Sequence, residues 1–186
     1  MKNYSRRFLI AGAVGATLVV ASCDNGLNGT GAEKLDARVD SALNFLAINH
    51  PDTQDLFDNA AGVLVMPLIT EAGFGFGASF GRGSLRVGDA TIDYYQAAQA
   101  SVGFQIGAQQ YAHALFFMTE DALADFRNSP GWAAGADLEY ALNSDGMNIS
   151  AETTTALSPV VAVVFGQAGL IAGATIEGTK YSRIIP

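Results

Sequence analysis

The chain has 186 residues and a formal net charge of −8 at pH 7. Hydrophobic residues make up 49% of the sequence, and there is one cysteine. This length allows one domain with a substantial hydrophobic core, and a single cysteine excludes an intrachain disulfide. The acidic balance argues against nucleic acid as a partner and against a simple polybasic grip on anionic lipid headgroups.

The first residues have the layout of an export signal. Ser5-Arg6-Arg7 precedes an uncharged, apolar run from Phe8 to Ala21, which is short for a membrane-spanning helix. The run ends in Val20-Ala21-Ser22-Cys23, which resembles the lipobox of bacterial lipoproteins. In that class the chain is cut before the cysteine, and the cysteine carries the lipid. We therefore predict a signal peptide over residues 1–22 and acylation, as with palmitate, at Cys23.

This processing would place the protein on the bacterial cell envelope, facing the periplasm. Removal of residues 1–22 takes away Lys2, Arg6 and Arg7 and no acidic residue, so the net charge falls from −8 to −11. Asp24, directly after the cysteine, resembles the inner-membrane retention signal of enterobacterial lipoproteins. The sequence therefore favours the inner membrane as the site of attachment.

The chain after Cys23 begins with a tether and a helix. Residues 23–31 are rich in Gly and Asn and indicate a flexible linker. Residues 32–48 carry apolar side chains at helical spacing, and the polar face mixes both signs of charge. Because helices that lie on membranes favour Lys and Arg, this pattern favours packing on a sheet. Pro51 ends the helix, and residues 52–59 predict a second, short helix.

A glycine-rich sheet is predicted next. Residues 63–69 read as a buried strand in which Pro67 lacks an N–H, so this strand should lie at an edge or carry a bulge. Residues 72–83 alternate between aromatic and glycine faces, and residues 102–109 and 169–176 repeat the device. This indicates a strongly curved, largely antiparallel sheet that closes towards a barrel. The glycines would allow curvature and close packing, or a ligand would lie on the glycine face.

Further elements complete a single domain over residues 32–186. Gly88-Asp89 is a turn signal, and Thr119 is a favourable N-cap for a helix that ends near Asn128. The remaining predicted strands are residues 84–87, one or two strands within 91–109, and residues 111–118, 132–142, 147–155, 160–165 and 170–176. The predicted fold is α+β, with an N-terminal helical segment and one short helix inserted after mid-chain.

Catalytic and metal-binding patterns are absent from the sequence. His113 lies in an apolar strand, which favours a hydrogen-bonded core residue over a metal ligand. Glu71, Asp93 and Glu177 would support acid–base or metal chemistry only if the fold brought them together. We therefore predict a protein that is not an enzyme and has no cofactor.

Four segments resemble the SYLF family, which comprises lipid-binding domains also described as actin regulators in fungi. They keep the family's order and cover most of residues 32–180. They are Ala61–Pro67 leading into residues 72–75, the S-x-G-x-Q-x-G-x-Q run of Ser101–Gln109, Phe117–Thr119, and Gly169–Gly173 with Glu177-Gly178 after it. The chain departs from the family where Ala90–Asp93 replaces a frequent Trp-Ser-x-Pro segment, and it lacks the family's aromatic C-terminal tail.

The resemblance implies a non-enzymatic domain that binds a phospholipid or another apolar molecule. The candidate residues that would contact lipid or line the core are Phe74, Phe76, Phe80 and Phe104. Eukaryotic members bind phosphoinositides through basic residues, which this acidic chain need not share, and the bacterial-type signal argues against actin. The alternative is a structural or adaptor lipoprotein that binds another envelope protein, of unknown identity, through an exposed sheet face.

Overall fold

The computed structural model describes residues 30–135, 139–142, 158–169 and 176–186. The predicted signal peptide, Cys23 and the predicted strand 147–155 lie outside the described residues. Three α-helices and six strands are described: α1 Thr30–Asn49, α2 Gln54–Asn59, β1 Gly62–Val87, β2 Ala90–Phe117, α3 Glu120–Asn128, β3 Trp132–Ala133, β4 Glu139–Leu142, β5 Val160–Gly169 and β6 Lys180–Ile184. A short 3₁₀ helix, Pro51–Thr53, joins α1 to α2. The predicted α+β class is confirmed.

Two very long strands dominate the sheet. β1 has 26 residues and β2 has 28, and they pair antiparallel from Gly62–Phe117 to Val87–Ala90. Gly88 adopts a φ of 56° in the turn between them, as the turn signal predicted. The sequence pattern predicted several shorter strands here, which is wrong. The chain bends without leaving the ladder because register shifts at Met66/Ile69, Phe74/Phe76 and Leu85/Arg86 take up the curvature.

β2 lies at the centre of the sheet. β1 pairs along one edge of β2, while β5 and β6 pair antiparallel with opposite halves of its other edge. β3 joins β6 antiparallel, and β4 joins β5 in parallel. The predicted strongly curved, largely antiparallel sheet is thus confirmed.

The chain after α3 differs from the prediction. The single strand expected over residues 132–142 is two separate strands, β3 and β4, because Ala134 and Gly135 leave the ladder. Ile176, the end of a predicted last strand, precedes a turn, and residues 170–175 lie outside the description. The strand β6 was missed because its five residues, KYSRI, include two cations and bury only Tyr181.

Hydrophobic clusters pack on both faces of the sheet. On the convex face α1 and α2 cover an outer cluster that includes Val39, Leu46, Leu56, Val65 and Phe116. This confirms that the apolar face of the first helix packs on the sheet. On the concave face an inner cluster is closed by α3, which contributes Leu123 and Phe126.

The N-terminus of α3 is capped as predicted. The Oγ1 atom of Thr119 accepts a hydrogen bond of 3.2 Å from the backbone N–H of Ala122. Glu120 and Asp121 occupy the first turn, where negative charge suits the helix dipole. The side chain of Thr119 therefore determines that the helix begins at Glu120.

The glycine face of β1 points inward, against the same strand. Gly81 and Gly83 are buried, and a Cβ atom on either residue would overlap backbone atoms of the strand's first half. A Cβ atom on Gly73 would likewise lie 2.8 Å from the Cα of Gly77. These glycines therefore serve close packing and curvature, which was the first of the two predicted roles. Within the described residues, no helix has the length and apolar character needed to cross a membrane.

Candidate functional site

An open groove runs between α1 and the first bulge of β1. Lys34, Arg38, Ser41 and Phe45 are spaced by four, three and four residues, so they form one stripe along the helix. Opposite them, Pro67 cannot donate to the sheet ladder, and the register shifts between Met66 and Ile69. This register shift confirms the prediction that the strand around Pro67 lies at an edge or carries a bulge.

The first part of the groove is apolar and has a volume of about 520 Å³. The ring of Phe45 is stacked on that of Phe165, with centroids 6.1 Å apart and planes inclined by 16°. Phe45 and Leu68 are exposed by 43% and 42%, which is unusual for such large apolar side chains. The other lining residues are Arg38, Ser41, Ala42, Pro67, Gln110, Tyr111, Ala112 and Gly166.

The second part of the groove is cationic and has a volume of about 380 Å³. It shares Arg38, Pro67 and Leu68 with the first part, so the two form one continuous groove, called here the α1 groove. Lys34 and Arg82 join Arg38 at this end. Among the described residues, no Asp or Glu side chain lines either part, and Pro186, the last residue, lies at the cationic end.

The arginines of the α1 groove differ from the other described arginines in how they are neutralised. Arg86 binds Asp36 and Asp40, while Arg127 and Arg183 both bind Asp93. Within the described part of the chain, no ion pair joins a carboxylate to the three cations that line the groove, Lys34, Arg38 and Arg82. The guanidinium of Arg82 lies 5.9 Å from the centroid of the Phe80 ring, within cation–π range.

The opposite flank of α1 is acidic and fixes the helix to the sheet. Asp36 accepts hydrogen bonds of 2.8 Å from the Tyr94 hydroxyl and 3.0 Å from Thr91 Oγ1. Asp40 accepts one of 2.7 Å from Arg86. Burial and the hydrogen bond to Asp36 raise the pKa of Tyr94 to about 12, so this hydroxyl stays a donor. These contacts position the helix that forms one wall of the groove.

The structure describes two of the four predicted phenylalanine side chains. Phe76 and Phe80 are exposed by 76% and 49%, so both lie on the outer face of the sheet, outside the core. Phe80 lines the cationic part of the α1 groove. The side chains of Phe74 and Phe104, like the predicted lipidation residue Cys23, lie outside the description. The role of all four phenylalanines in lipid contact stays a prediction.

The sequence did not identify the groove residues Lys34, Arg38, Phe45, Leu68 and Phe165. Two signals pointed toward the site. Pro67 predicted the bulge, and the spacing of Lys34 and Arg38 placed both on one flank of α1. The sequence could not show that α1 packs beside this bulge, because that arrangement depends on contacts between distant segments.

The polar residues of the inner face are structural. His113 is 1% exposed, and its Nε2 atom lies 2.8 Å from the Tyr181 hydroxyl. Burial lowers the pKa of His113 to about 3, so its ring is neutral. This confirms the prediction of a hydrogen-bonded core histidine. Gln109, the last residue of the S-x-G-x-Q-x-G-x-Q run, is buried and donates a 2.7 Å hydrogen bond to Glu71.

The three suggested carboxylates do not form a metal site among the described residues. Glu71 is bonded to Gln109, whereas Asp93 binds Arg127 and Arg183, each at 3.3 Å. The described residues contain no group of three or more His, Cys, Asp or Glu side chains placed to hold a metal ion. The hypothesis that Glu71, Asp93 and Glu177 together form a metal site is therefore wrong, while acid–base chemistry at a pair of them stays a prediction.

The chain is a curved-sheet domain with a groove that is apolar at one end and cationic at the other. Residues 98–183 match the family model described as Ysc84, Las17-binding protein actin regulator. The match to this family, the SYLF family, extends from the middle of β2 into β6 and confirms the resemblance seen in the sequence. The match supports a domain of the lipid-binding or actin-regulator type. No curated protein matches the chain.

Proposed function

We propose that the chain is a membrane-anchored bacterial envelope lipoprotein whose SYLF-like domain binds lipid without catalysing a reaction. The observation that carries the proposal is the α1 groove, which is apolar at one end and cationic at the other. A phospholipid has the same two halves. The family match supports lipid binding, and the pattern before Cys23 supports the anchor.

The apolar part of the groove suits an acyl chain. Its volume, about 520 Å³, lies within the range of roughly 300–1,000 Å³ that is common for small-molecule sites. An acyl chain in the groove would cover the exposed apolar surface of Phe45 and Leu68. Each Å² of apolar surface removed from water makes the free energy of binding more favourable by about 25 cal/mol. A phosphate headgroup would then lie near Lys34, Arg38 and Arg82.

Native mass spectrometry of a chain lacking residues 1–23 tests lipid binding without the anchor. We expect a co-purifying lipid adduct. Ser41→Phe should fill the groove and remove the adduct, because Ser41 lines the apolar part. Ala47→Phe is the matched control, since Ala47 is exposed on another side of the same helix. A parent chain without adduct, or an adduct that survives Ser41→Phe, contradicts the proposal.

The alternative function is that of a structural or adaptor lipoprotein that contacts another envelope protein through an exposed sheet face. The exposure of Phe76 and Phe80 on the outer face of β1 favours this alternative. Under it, the chain lacking residues 1–23 would carry no lipid, and Phe76→Ser would release a protein partner that Ser41→Phe retains. Comparison of Ser41→Phe with Phe76→Ser therefore separates the two functions.

A further inference from the structure

The exposed aromatic residues of β1 continue the surface that the groove cations begin. Along β1, Phe76, Phe80 and Arg82 are separated by even numbers of residues with no register shift between them, so they share the outer face. Phe80 and Arg82 also line the groove together with Lys34 and Arg38. We call these five side chains, with Leu68, the docking face.

We propose that the docking face lies on the surface of the anionic phospholipid bilayer that holds the lipid anchor. This inference rests on the proposed lipoprotein function and adds an orientation to it. Phe76, Phe80 and Leu68 would enter the interfacial region, while Lys34, Arg38 and Arg82 would contact lipid phosphates. Aromatic side chains are enriched at the membrane interface, and each Lys or Arg there strengthens binding to anionic lipid roughly fivefold.

The distribution of charge favours the docking face, over the other faces, as the one that contacts an anionic bilayer. The chain without residues 1–22 would carry a net charge of −11, so an anionic bilayer would repel most of its surface. On the far flank of α1, Asp36 and Asp40 are held by Arg86, and Asp93 takes up Arg127 and Arg183. The groove cations bind no described carboxylate and are exposed. The net charge of the chain does not reveal that these positive side chains lie together on one face.

The position of the anchor agrees with the same orientation. The seven residues from Asp24 to Thr30 span at most about 25 Å when fully extended. The first turn of α1 lies at the cationic end of the groove, which Gly31 and Lys34 line. A lipid on Cys23 would therefore keep this end of the molecule close to the bilayer.

Depth-dependent quenching of tryptophan in the full, anchored chain tests the orientation. Phe76→Trp and Phe80→Trp place a reporter on the docking face. Ala124→Trp is the matched control, since Ala124 is exposed on α3 and α3 covers the opposite face of the sheet from α1. The signal of Trp132 is common to all variants and is subtracted with the unsubstituted chain. Each variant is reconstituted with phosphatidylcholine vesicles that contain brominated lipid, with and without phosphatidylglycerol.

We expect brominated lipid to quench both docking-face reporters in the vesicles that contain phosphatidylglycerol, and to leave Ala124→Trp unchanged. Adding Arg38→Gln to Phe80→Trp should lower the docking equilibrium roughly fivefold. Lys180→Gln, an exposed cation outside the groove, should leave it unchanged.

Three outcomes would overturn the proposal. If the protein floats with the vesicles but its docking-face reporters are not quenched, docking fails while the anchor stands, as expected for a face that binds protein. Equal quenching of Ala124→Trp would show that no particular face docks. A chain that does not float with either vesicle would overturn both docking and the lipid anchor. A lipid adduct on the chain lacking residues 1–23, absent from its Ser41→Phe variant, would still support binding in the groove.

Discussion

Gly83 packs directly against the carbonyl group of Val65, although both residues belong to strand β1. A Cβ atom on Gly83 would overlap the Val65 carbonyl oxygen and would lie 2.6 Å from the Met66 sulfur. This approach is the point at which the curled strand meets itself. The absence of a side chain at Gly83 therefore allows the two ends of β1 to pack together.

We predict that Gly83→Ala destabilises the domain. The added methyl group meets backbone atoms, which cannot move aside as a flexible side chain would, and overpacking of this kind typically costs about 1–3 kcal/mol. The urea midpoint of unfolding should fall accordingly. Gly135→Ala is the matched control, because its Cβ atom would meet nothing within 4 Å and its midpoint should change little. Equal midpoints for the two variants would mean that the strand does not close on itself.

The second prediction concerns the anchor. If Cys23 carries the lipid, Cys23→Ser should yield an unprocessed or soluble protein, because no other residue of the chain offers a thiol. Metabolic labelling with a fatty-acid analogue measures this directly. Ser22→Ala keeps a small residue before the cysteine and should still be labelled. Label on Cys23→Ser would exclude this cysteine as the acylated residue.

The third prediction concerns sorting. Asp24 follows the cysteine and resembles an inner-membrane retention signal, so the protein should fractionate with the inner membrane. Asp24→Ser should move it to the outer membrane, whereas Asn28→Ser, further along the tether, should not. Membrane fractionation that finds the unsubstituted protein mainly in the outer membrane rejects this prediction.

Local chemistry made much of the fold predictable. Thr119 fixes the start of α3 through its own hydroxyl, Pro67 breaks the ladder because it has no N–H, and Gly88 allows the turn between the long strands. In each case one residue determines the backbone near it. By contrast, β6 is held by its pairing with β2, about 86 residues earlier in the chain, and its own sequence carries little strand signal.

The site was harder to predict than the fold because it is built from distant segments. Alternation correctly placed Phe76 and Phe80 on one face of β1, but periodicity cannot tell which face is turned to solvent. The inward turn of the glycine face follows from contacts such as Gly83 with Val65. Arg38 likewise belongs to the site because its flank of α1 lies beside Leu68, and the sequence alone does not show this contact between distant segments.

The last prediction uses the buried histidine. The pKa of His113 is about 3 in the folded protein, below the usual value of about 6.5 that the unfolded chain should have. Between these values the unfolded chain binds a proton that the folded protein does not. The stability due to neutral His113 is therefore fully present above about pH 6.5 and is lost as the pH falls towards 3. The greatest slope from one such group is about 1.4 kcal/mol per pH unit.

His113→Gln separates the titration of this residue from its packing. Glutamine can still bond the Tyr181 hydroxyl, which lies 2.8 Å from the histidine ring, but it does not titrate. Between about pH 7 and pH 5 its free energy of unfolding should fall less than that of the parent, by on the order of 2 kcal/mol. Urea titration at both pH values measures the difference. If His113→Gln instead loses as much stability as the parent, a proton reaches the ring in the folded state and the inner face is not closed to water.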